Sequence, residues 1–78
     1  MKVTTDVVEI RGKEVKTSQV GKEYMIVRFE DETGRTYEVC DRNMARLDEY
    51  RKGRECRLTI DITMDKWKNM TIRGIAES

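Results

Sequence analysis

The stretch that decides the fold is residues 56–64, which read CRLTIDITM. Every even-numbered position in it is apolar, and every odd-numbered position is polar. Successive side chains of a β-strand point to opposite faces of its sheet, so this alternation buries one face and leaves the other in water. A helix with this sequence would scatter its apolar side chains around its whole circumference. The stretch therefore predicts a half-buried β-strand.

Strand patterns also occur on both sides of this stretch. In chain order, predicted strands 1 to 5 cover residues 3–16, 23–30, 35–40, 55–64 and 69–76. Between strands 2 and 3, Glu32-Thr33-Gly34 has the length and the final glycine of a three-residue hairpin loop. This loop predicts a register with three facing pairs: Phe29 with Tyr37 and Val27 with Val39 inside, and Arg28 with Glu38 outside.

Two glycines interrupt the predicted strands. Gly12 lies where the parity of the apolar positions changes between Ile10 and Val15, and Gly74 lies within strand 5. Such a glycine is typical of a β-bulge, which bends a strand, although an ordinary loop is the alternative at each position. A bent first strand could pair with strand 2 along one half and with strand 4 along the other. A small closed barrel needs this arrangement.

One short amphipathic helix is predicted between strands 3 and 4, near residues 42–52. Asp41 or Asn43 would be its N-cap, and Gly53 would follow its last residue. Its apolar stripe is narrow and consists of Met44, Leu47 and Tyr50. So thin a stripe could cover one end of a barrel but could not build the core of a helical bundle.

The order of these elements is that of the OB-fold: three strands, one helix and two more strands. We therefore predict an all-β protein, a five-stranded OB-fold barrel (β1-β2-β3-α-β4-β5) with one short capping helix. Residues 1–78 are expected to form a single domain, since no linker, repeat or low-complexity segment divides them. The predicted core, capped by Leu47, consists of Val8, Ile10, Val27, Phe29, Val39, Leu58, Ile60, Ile62 and Ile72.

Composition argues against several classes of function. With 16 basic and 15 acidic residues, the net charge is +1, unlike that of strongly basic proteins that bind duplex DNA. The chain has no histidine, no glycine-rich phosphate loop and two isolated cysteines, Cys40 and Cys56. We therefore expect neither an enzyme nor a metal or cofactor site. Without a signal-peptide or membrane-span pattern, and with both thiols expected to be reduced, we expect a cytoplasmic protein.

The clearest candidate for a binding group is Trp67, the only tryptophan, in the predicted loop between strands 4 and 5. Lys66 and Lys68 flank it. An indole stacks on an unpaired base, with about 1–3 kcal/mol per base, and lysines neutralise phosphates. The alternative is that Trp67 folds over the barrel mouth as a lid, with lysines that only add solubility.

A second cluster of candidate binding residues is expected on the outward face of strand 2 and next to it. It consists of Lys16, Lys22, Tyr24, Ile26, Arg28 and Arg73. Exposed aromatic and apolar groups beside cations suit stacked bases. Glu38 lies on the same face and would repel phosphate, so an ordinary mixed-charge solvated face is the alternative.

The element order, the bulged first strand and the aromatic, basic loop around Trp67 resemble small OB-fold single-stranded DNA-binding proteins of the bacterial, phage or mobile-element kind. The resemblance covers essentially the whole chain. It implies non-catalytic binding of single-stranded nucleic acid, with DNA favoured, by stacking and phosphate contacts. By position, it points to Lys16, Lys22, Tyr24, Arg28, Lys66, Trp67 and Lys68.

An alternative function stays open at this point. The same fold could be a protein-interaction module or a homo-oligomeric accessory subunit, binding a protein partner through Tyr24, Ile26 and Trp67. The two functions differ in their response to salt, because phosphate binding weakens steeply with salt and an apolar interface does not.

Overall fold

Six β-strands and one short helix make up residues 1–63 and 69–77, the part of the chain that the computed structural model describes. The elements follow one another as β1 Lys2–Thr4, β2 Val8–Thr17, β3 Glu23–Glu30, β4 Thr36–Asp41, a 3₁₀ helix Met44–Glu49, β5 Glu55–Thr63 and β6 Asn69–Glu77. No helix among these residues has the length and apolar composition that crossing a membrane requires.

Five of these strands close into a barrel in the order β2–β3–β4–β6–β5, with β5 returning to β2. All neighbours in the ring are antiparallel except β4 and β6, which run parallel, with Cys40 opposite Thr71. The prediction of an all-β OB-fold barrel is confirmed. The ring closes through short contacts, because β2 and β5 share two residue pairs and β4 and β6 share one.

Predicted strand 1 is divided into β1 and β2. β1 pairs with β5, the first two residues of β2 also pair with β5, and β2 pairs with β3 from Glu9 onward. Between the two pieces, the amide of Thr5 donates to the carbonyl of Leu58 (2.8 Å), and the Leu58 amide donates to the Thr5 hydroxyl (3.0 Å). The bent strand thus serves two neighbours, as predicted, with a threonine side chain completing the ladder where the backbone turns.

Both predicted bulges are present. The register of β2 against β3 shifts between Ile10 and Gly12, which leaves Arg11 as the extra residue. The register of β5 against β6 shifts where Thr59 faces Gly74 and Ile60 faces Ile72, which leaves Arg73 as the extra residue. A bulge increases the local bend and twist, and a small barrel needs both to close.

The hairpin between β3 and β4 has the predicted register, with Arg28 opposite Glu38 and Val27 opposite Val39. Gly34 has a φ of +89°, so glycine is the natural residue there. The prediction that Tyr37 lies inside needs correction. Its ring stacks on Phe29 at a centroid distance of 5.5 Å, but 38% of the residue is exposed, because it lies at the barrel mouth.

The core follows the alternation of the strands closely. Met25, Tyr50 and Cys56 are buried in addition to the predicted residues, whereas Ile62 is only half-buried and packs against the core. The buried apolar residues are Val8, Ile10, Met25, Val27, Phe29, Val39, Tyr50, Cys56, Leu58, Ile60 and Ile72. Leu47 is partly buried and packs against this cluster, in agreement with its predicted position as a cap on the core.

The helix is shorter than predicted and is a 3₁₀ helix. Asn43 is the N-cap, since its side-chain oxygen accepts from the amide of Ala45 (3.0 Å), and Asp41 is instead the last residue of β4. No residue within the helix is fully buried; the buried aromatic is Tyr50, directly after it. The side chains of Arg46 and Tyr50 both donate to one carboxylate, that of Asp41.

Candidate nucleic-acid interface

The outer face of β3 carries three of the predicted binding residues in one row. Tyr24, Ile26 and Arg28 alternate along the strand with the buried residues Met25, Val27 and Phe29. The core therefore determines which side chains face outward, because a shift of one residue would expose all three buried positions.

Neighbouring strands add to this row. On β2, Lys16 lies opposite Tyr24, and Glu14 lies opposite Ile26. On β4, Cys40 lies opposite Ile26, and Glu38 lies opposite Arg28. The outer face thus has a cationic and aromatic part near the start of β3 and a mixed-charge part near its end.

The loop between β2 and β3, residues 18–22, borders the cationic part. The Ser18 amide donates to the Lys22 carbonyl (2.8 Å), the Gly21 amide donates to the Ser18 carbonyl (3.0 Å), and the Lys22 amide donates to the Ser18 hydroxyl (3.2 Å). Gly21 has a φ of +83°, a conformation that side chains rarely adopt. These bonds hold the loop in one shape with Val20 at its tip, and Val20 is 80% exposed.

A groove of about 730 Å³ lies between this loop and the outer face of the sheet. Its lining brings together an aromatic ring, a thiol, a hydroxyl, one carboxylate and two basic side chains. The lining residues are Ser18, Val20, Lys22, Glu23, Tyr24, Cys40 and Arg42. We call it the cationic groove.

Five lining residues of the groove were not among the predicted site residues: Ser18, Val20, Glu23, Cys40 and Arg42. Arg42 lies two positions beyond Cys40, as Cys40 lies two beyond Glu38, so the alternation along predicted strand 3 (now β4) already indicated that Arg42 faces outward. Val20 gave no such signal, because an apolar residue in a polar loop is common on protein surfaces.

The basic residues near the groove differ in their availability. Lys16, Lys22 and Arg42 form no ion pair with another described residue. Arg28 is paired: its Nη2 and Nε donate to Oε1 of Glu38 at 2.8 and 3.1 Å. Arg73 on β6 lies 3.5 Å from Asp61, and it shares a depression of about 350 Å³ with Arg42.

The structure thus brings five predicted site residues together on the outer face of β3 and beside it: Lys16, Lys22, Tyr24, Ile26 and Arg28. Arg73 lies in the separate depression that it shares with Arg42. The other three, Lys66, Trp67 and Lys68, lie outside the described residues. Whether any of the nine contacts nucleic acid stays a prediction.

A buried ion pair lies directly behind the groove. Asp41, fully buried, accepts from Nε of Arg46 (2.8 Å), from the amide of Asn43 (2.9 Å) and from the hydroxyl of Tyr50. Burial, with the Asp41 carboxylate next in effect, raises the pKa of the Tyr50 hydroxyl well above its usual range, so that it remains a donor. This network anchors Asp41, the last residue of β4, and Arg42 directly follows it.

The two thiols have different surroundings. Cys56 is buried in the core, and this burial raises the pKa of its thiol, whereas Cys40 is half-buried in the groove. Among the residues that the structure describes, no group of three or more His, Cys, Asp or Glu side chains is arranged to hold a metal ion.

No protein-family model and no curated protein matches the sequence. Among solved structures, the chain is similar to the mitochondrial single-stranded DNA-binding protein Rim1 of S. cerevisiae in two crystal forms. One form has a TM-score of 0.74 at 21% identity, over 99% of this chain and 92% of that chain. The other has a TM-score of 0.64 at 16% identity, over 100% and 98%. At these identities, the similarity establishes a shared fold.

Proposed function

We propose that the chain binds single-stranded nucleic acid, with DNA favoured, through the cationic groove and the outer face of β3, without catalysis. The observation that carries the proposal is the position of Tyr24 in the groove beside Lys22 and Arg42, two cations without an ion-pair partner among the described residues. An aromatic ring next to free cations suits a stacked base with its phosphate, and each stacked base contributes about 1–3 kcal/mol.

The fold supports the same function. OB-folds bind oligonucleotides on this face of the barrel and with the loops beside it. The similar structures are of a protein described as single-stranded DNA-binding. From the sequence we add Trp67, Lys66 and Lys68 to the proposed contacts, because an indole between two lysines repeats the chemistry of the groove.

A protein-interaction module, or an accessory subunit of a homo-oligomer, is the second candidate. Ile26 supports it, because this apolar residue lies between Glu14 and Cys40 on the outer face, with Arg28 neutralised by Glu38. An interface centred on Ile26 would be nearly indifferent to salt.

A salt titration decides between these functions. We expect oligothymidylate to change the fluorescence of Trp67, with affinity falling as salt rises. Five phosphate contacts, from Lys16, Lys22, Arg42, Lys66 and Lys68, predict a slope of log affinity against log salt of about −3.5. Replacing Lys22 and Arg42 together by Gln should flatten the slope by about 1.4.

The matched control for this pair is Arg51→Gln with Lys52→Gln, which removes the same charge from exposed residues that do not line the groove. This control should leave the slope within about 0.3 of the unmodified protein, since long-range charge is screened at moderate salt. An unmodified protein that binds no oligonucleotide at low salt would contradict the proposal. A ribo-oligonucleotide of the same length tests the preference for DNA.

A further inference from the structure

The two ends of the barrel carry opposite charge. β3 runs eight residues from the loop 18–22 at one end to the hairpin loop 31–35 at the other, a distance of roughly 23 Å. The cationic groove lies at the first end. An apolar opening with an acidic rim, which we call the acidic mouth, lies at the second.

The acidic mouth is an apolar cavity of about 240 Å³. Val8, Val39, Phe29 and Ile60 form its buried part, while Tyr37 and Met70 are 38% and 45% exposed. The Tyr37 hydroxyl donates to Oδ2 of Asp31 (3.1 Å), so the ring that stacks on Phe29 is held in place. The mouth is therefore preformed and accessible to solvent. The polar residues that complete its lining are Thr5, Asp6, Asp31 and Glu32.

Carboxylates also dominate the surface beside the mouth. Glu9 lies directly opposite Glu30 on β3 and opposite Glu55 on β5, and facing like charges destabilise a sheet. Glu9, Glu30 and Glu55 line a second depression, which adjoins the mouth at Asp31 and Glu32. Among the described residues, Arg11 is the one cation in the lining of either depression; it binds Glu9 (3.1 Å) and Glu30. Six carboxylates line the two depressions together, so negative charge exceeds positive charge in their lining among the described residues.

Asp31 is held in its charged form at this end. It accepts from the hydroxyl of Thr33 (2.6 Å) and from the amides of Thr33 and Arg35 (2.9 and 3.0 Å). These bonds, led by that from the Thr33 hydroxyl, lower the pKa of the carboxyl. A cationic partner would thus meet a fixed negative charge at the rim.

The cationic end has the complementary features. Val20 is 80% exposed at the tip of a loop with a hydrogen-bonded shape. Lys16 precedes the loop and Lys22 is its last residue, and neither has an ion-pair partner among the described residues. The loop is thus a rigid, basic element that presents one apolar side chain.

We propose that copies of this chain associate head to tail, with the loop 18–22 of one copy docked on the acidic mouth of the next. Val20 enters the apolar cavity, and Lys16 and Lys22 face the carboxylates of the rim. Because the two surfaces differ and lie at opposite ends of β3, the contact is heterologous and extends into short chains. It is weak and sensitive to salt, since its cross-copy pairs are solvent-exposed.

One consequence rests on the proposed function. The docked loop is also a border of the cationic groove, so the acidic rim of one copy occupies the cations that phosphates would use on the next. Single-stranded nucleic acid and head-to-tail docking then compete for the same loop.

Charge-reversed variants test the contact without nucleic acid, by sedimentation velocity at rising protein concentration in low salt. We expect the unmodified protein to associate. Lys22→Glu alone and Glu32→Lys alone should each weaken association by about tenfold or more, because like charges then face each other. An equimolar mixture of the two variants should recover association, because opposite charges face each other again at each contact. The double variant Lys22→Glu with Glu32→Lys should recover it for the same reason.

The control is Lys52→Glu combined with Asp48→Lys, a matched reversal at exposed residues that line neither surface. It should associate as the unmodified protein does. A monomer at every concentration, association that both single variants retain, or a mixture that stays monomeric would each overturn the proposal. Adding oligothymidylate to the associated protein should dissociate it; bound oligonucleotide without dissociation would refute the shared use of the loop.

Discussion

Two arginine–carboxylate pairs on β4 and its neighbours have the same length and opposite surroundings. Arg46 approaches Asp41 at 2.8 Å, and Arg28 approaches Glu38 at 2.8 Å. The side chains of the first pair are 17% and 0% exposed, whereas those of the second are 57% and 55% exposed. The distance between the charges therefore says little about what each pair does.

Solvent makes the difference between the two pairs. Removing one partner of a buried pair leaves an uncompensated charge in a medium of low dielectric constant, which costs about 3–5 kcal/mol. An exposed pair contributes about 0–1 kcal/mol, because water and salt screen it and both side chains lose freedom. We infer that Arg46–Asp41 governs stability, whereas Arg28–Glu38 governs what the outer face can bind.

The largest expected effect is that of Asp41→Asn. This change leaves the Arg46 guanidinium without a counter-charge and weakens the acceptor of Tyr50, so the free energy of unfolding should fall by about 3–5 kcal/mol. Urea unfolding followed by circular dichroism measures it. Glu38→Gln, the equivalent change in the exposed pair, is the control. Equal urea midpoints for Asp41→Asn and Glu38→Gln would show that burial does not distinguish the two ion pairs.

The next effect concerns Tyr50 at alkaline pH. The raised pKa of its buried hydroxyl means that the folded state keeps the proton which the unfolded state loses near pH 10. The contribution of the Tyr50 hydroxyl to the free energy of unfolding is thus complete below about pH 10 and declines as the pH rises further. Tyr50→Phe should cost about 1.5–3 kcal/mol at neutral pH, where the bond to a charged acceptor is lost, and should remove this decline.

Urea midpoints measured from pH 7 to pH 11 check the prediction for Tyr50. Cys56, with a thiol pKa that burial also raises, produces an earlier decline above about pH 8.5, so Cys56→Ala is the background for both curves. A Tyr50→Phe curve parallel to that of its background above pH 10 would show that the hydroxyl titrates normally.

On the outer face, Tyr24→Leu should act on binding and leave stability nearly unchanged. Because one stacked base is lost, the binding free energy should weaken by about 1–3 kcal/mol, with no change in the slope of log affinity against log salt. Trp67→Ala should behave in the same way if Trp67 is a binding group. A loss of several kcal/mol of stability with unaltered binding would instead favour a lid over the barrel mouth. Fluorescence anisotropy of a labelled oligonucleotide provides the affinities, and Arg51→Gln is the control.

The smallest effect on stability is expected from Glu38→Gln, at less than about 1 kcal/mol. It nevertheless frees Arg28, so the affinity for oligothymidylate should rise and the salt slope should steepen by about 0.7. Glu14→Gln, which removes an equal charge from the same face without freeing an arginine, should leave the slope unchanged. Identical effects of the two variants would show that Glu38 acts only through its general charge.

Much of this structure could be predicted from local patterns. The alternation in residues 56–64 and 23–30 predicted both strands and their buried faces, and Gly12 and Gly74 predicted the bulges. The predicted hairpin loop Glu32-Thr33-Gly34 indicated the register that places Arg28 opposite Glu38. These features depend on the period of a strand and on backbone geometry, which a sequence states directly.

The sequence by itself determined which side of each strand is apolar, and with it the order of the elements and the row Tyr24, Ile26 and Arg28 on the outer face. Only the tertiary structure decided the burial of Asp41, because an aspartate at a strand end reads as solvated until Arg46 and Tyr50 turn back to it. Likewise, only the pairing of β2 with two neighbours places Glu9 between Glu30 and Glu55. Period-two patterns are local, whereas the surroundings of a charge depend on which distant strands the barrel brings beside it.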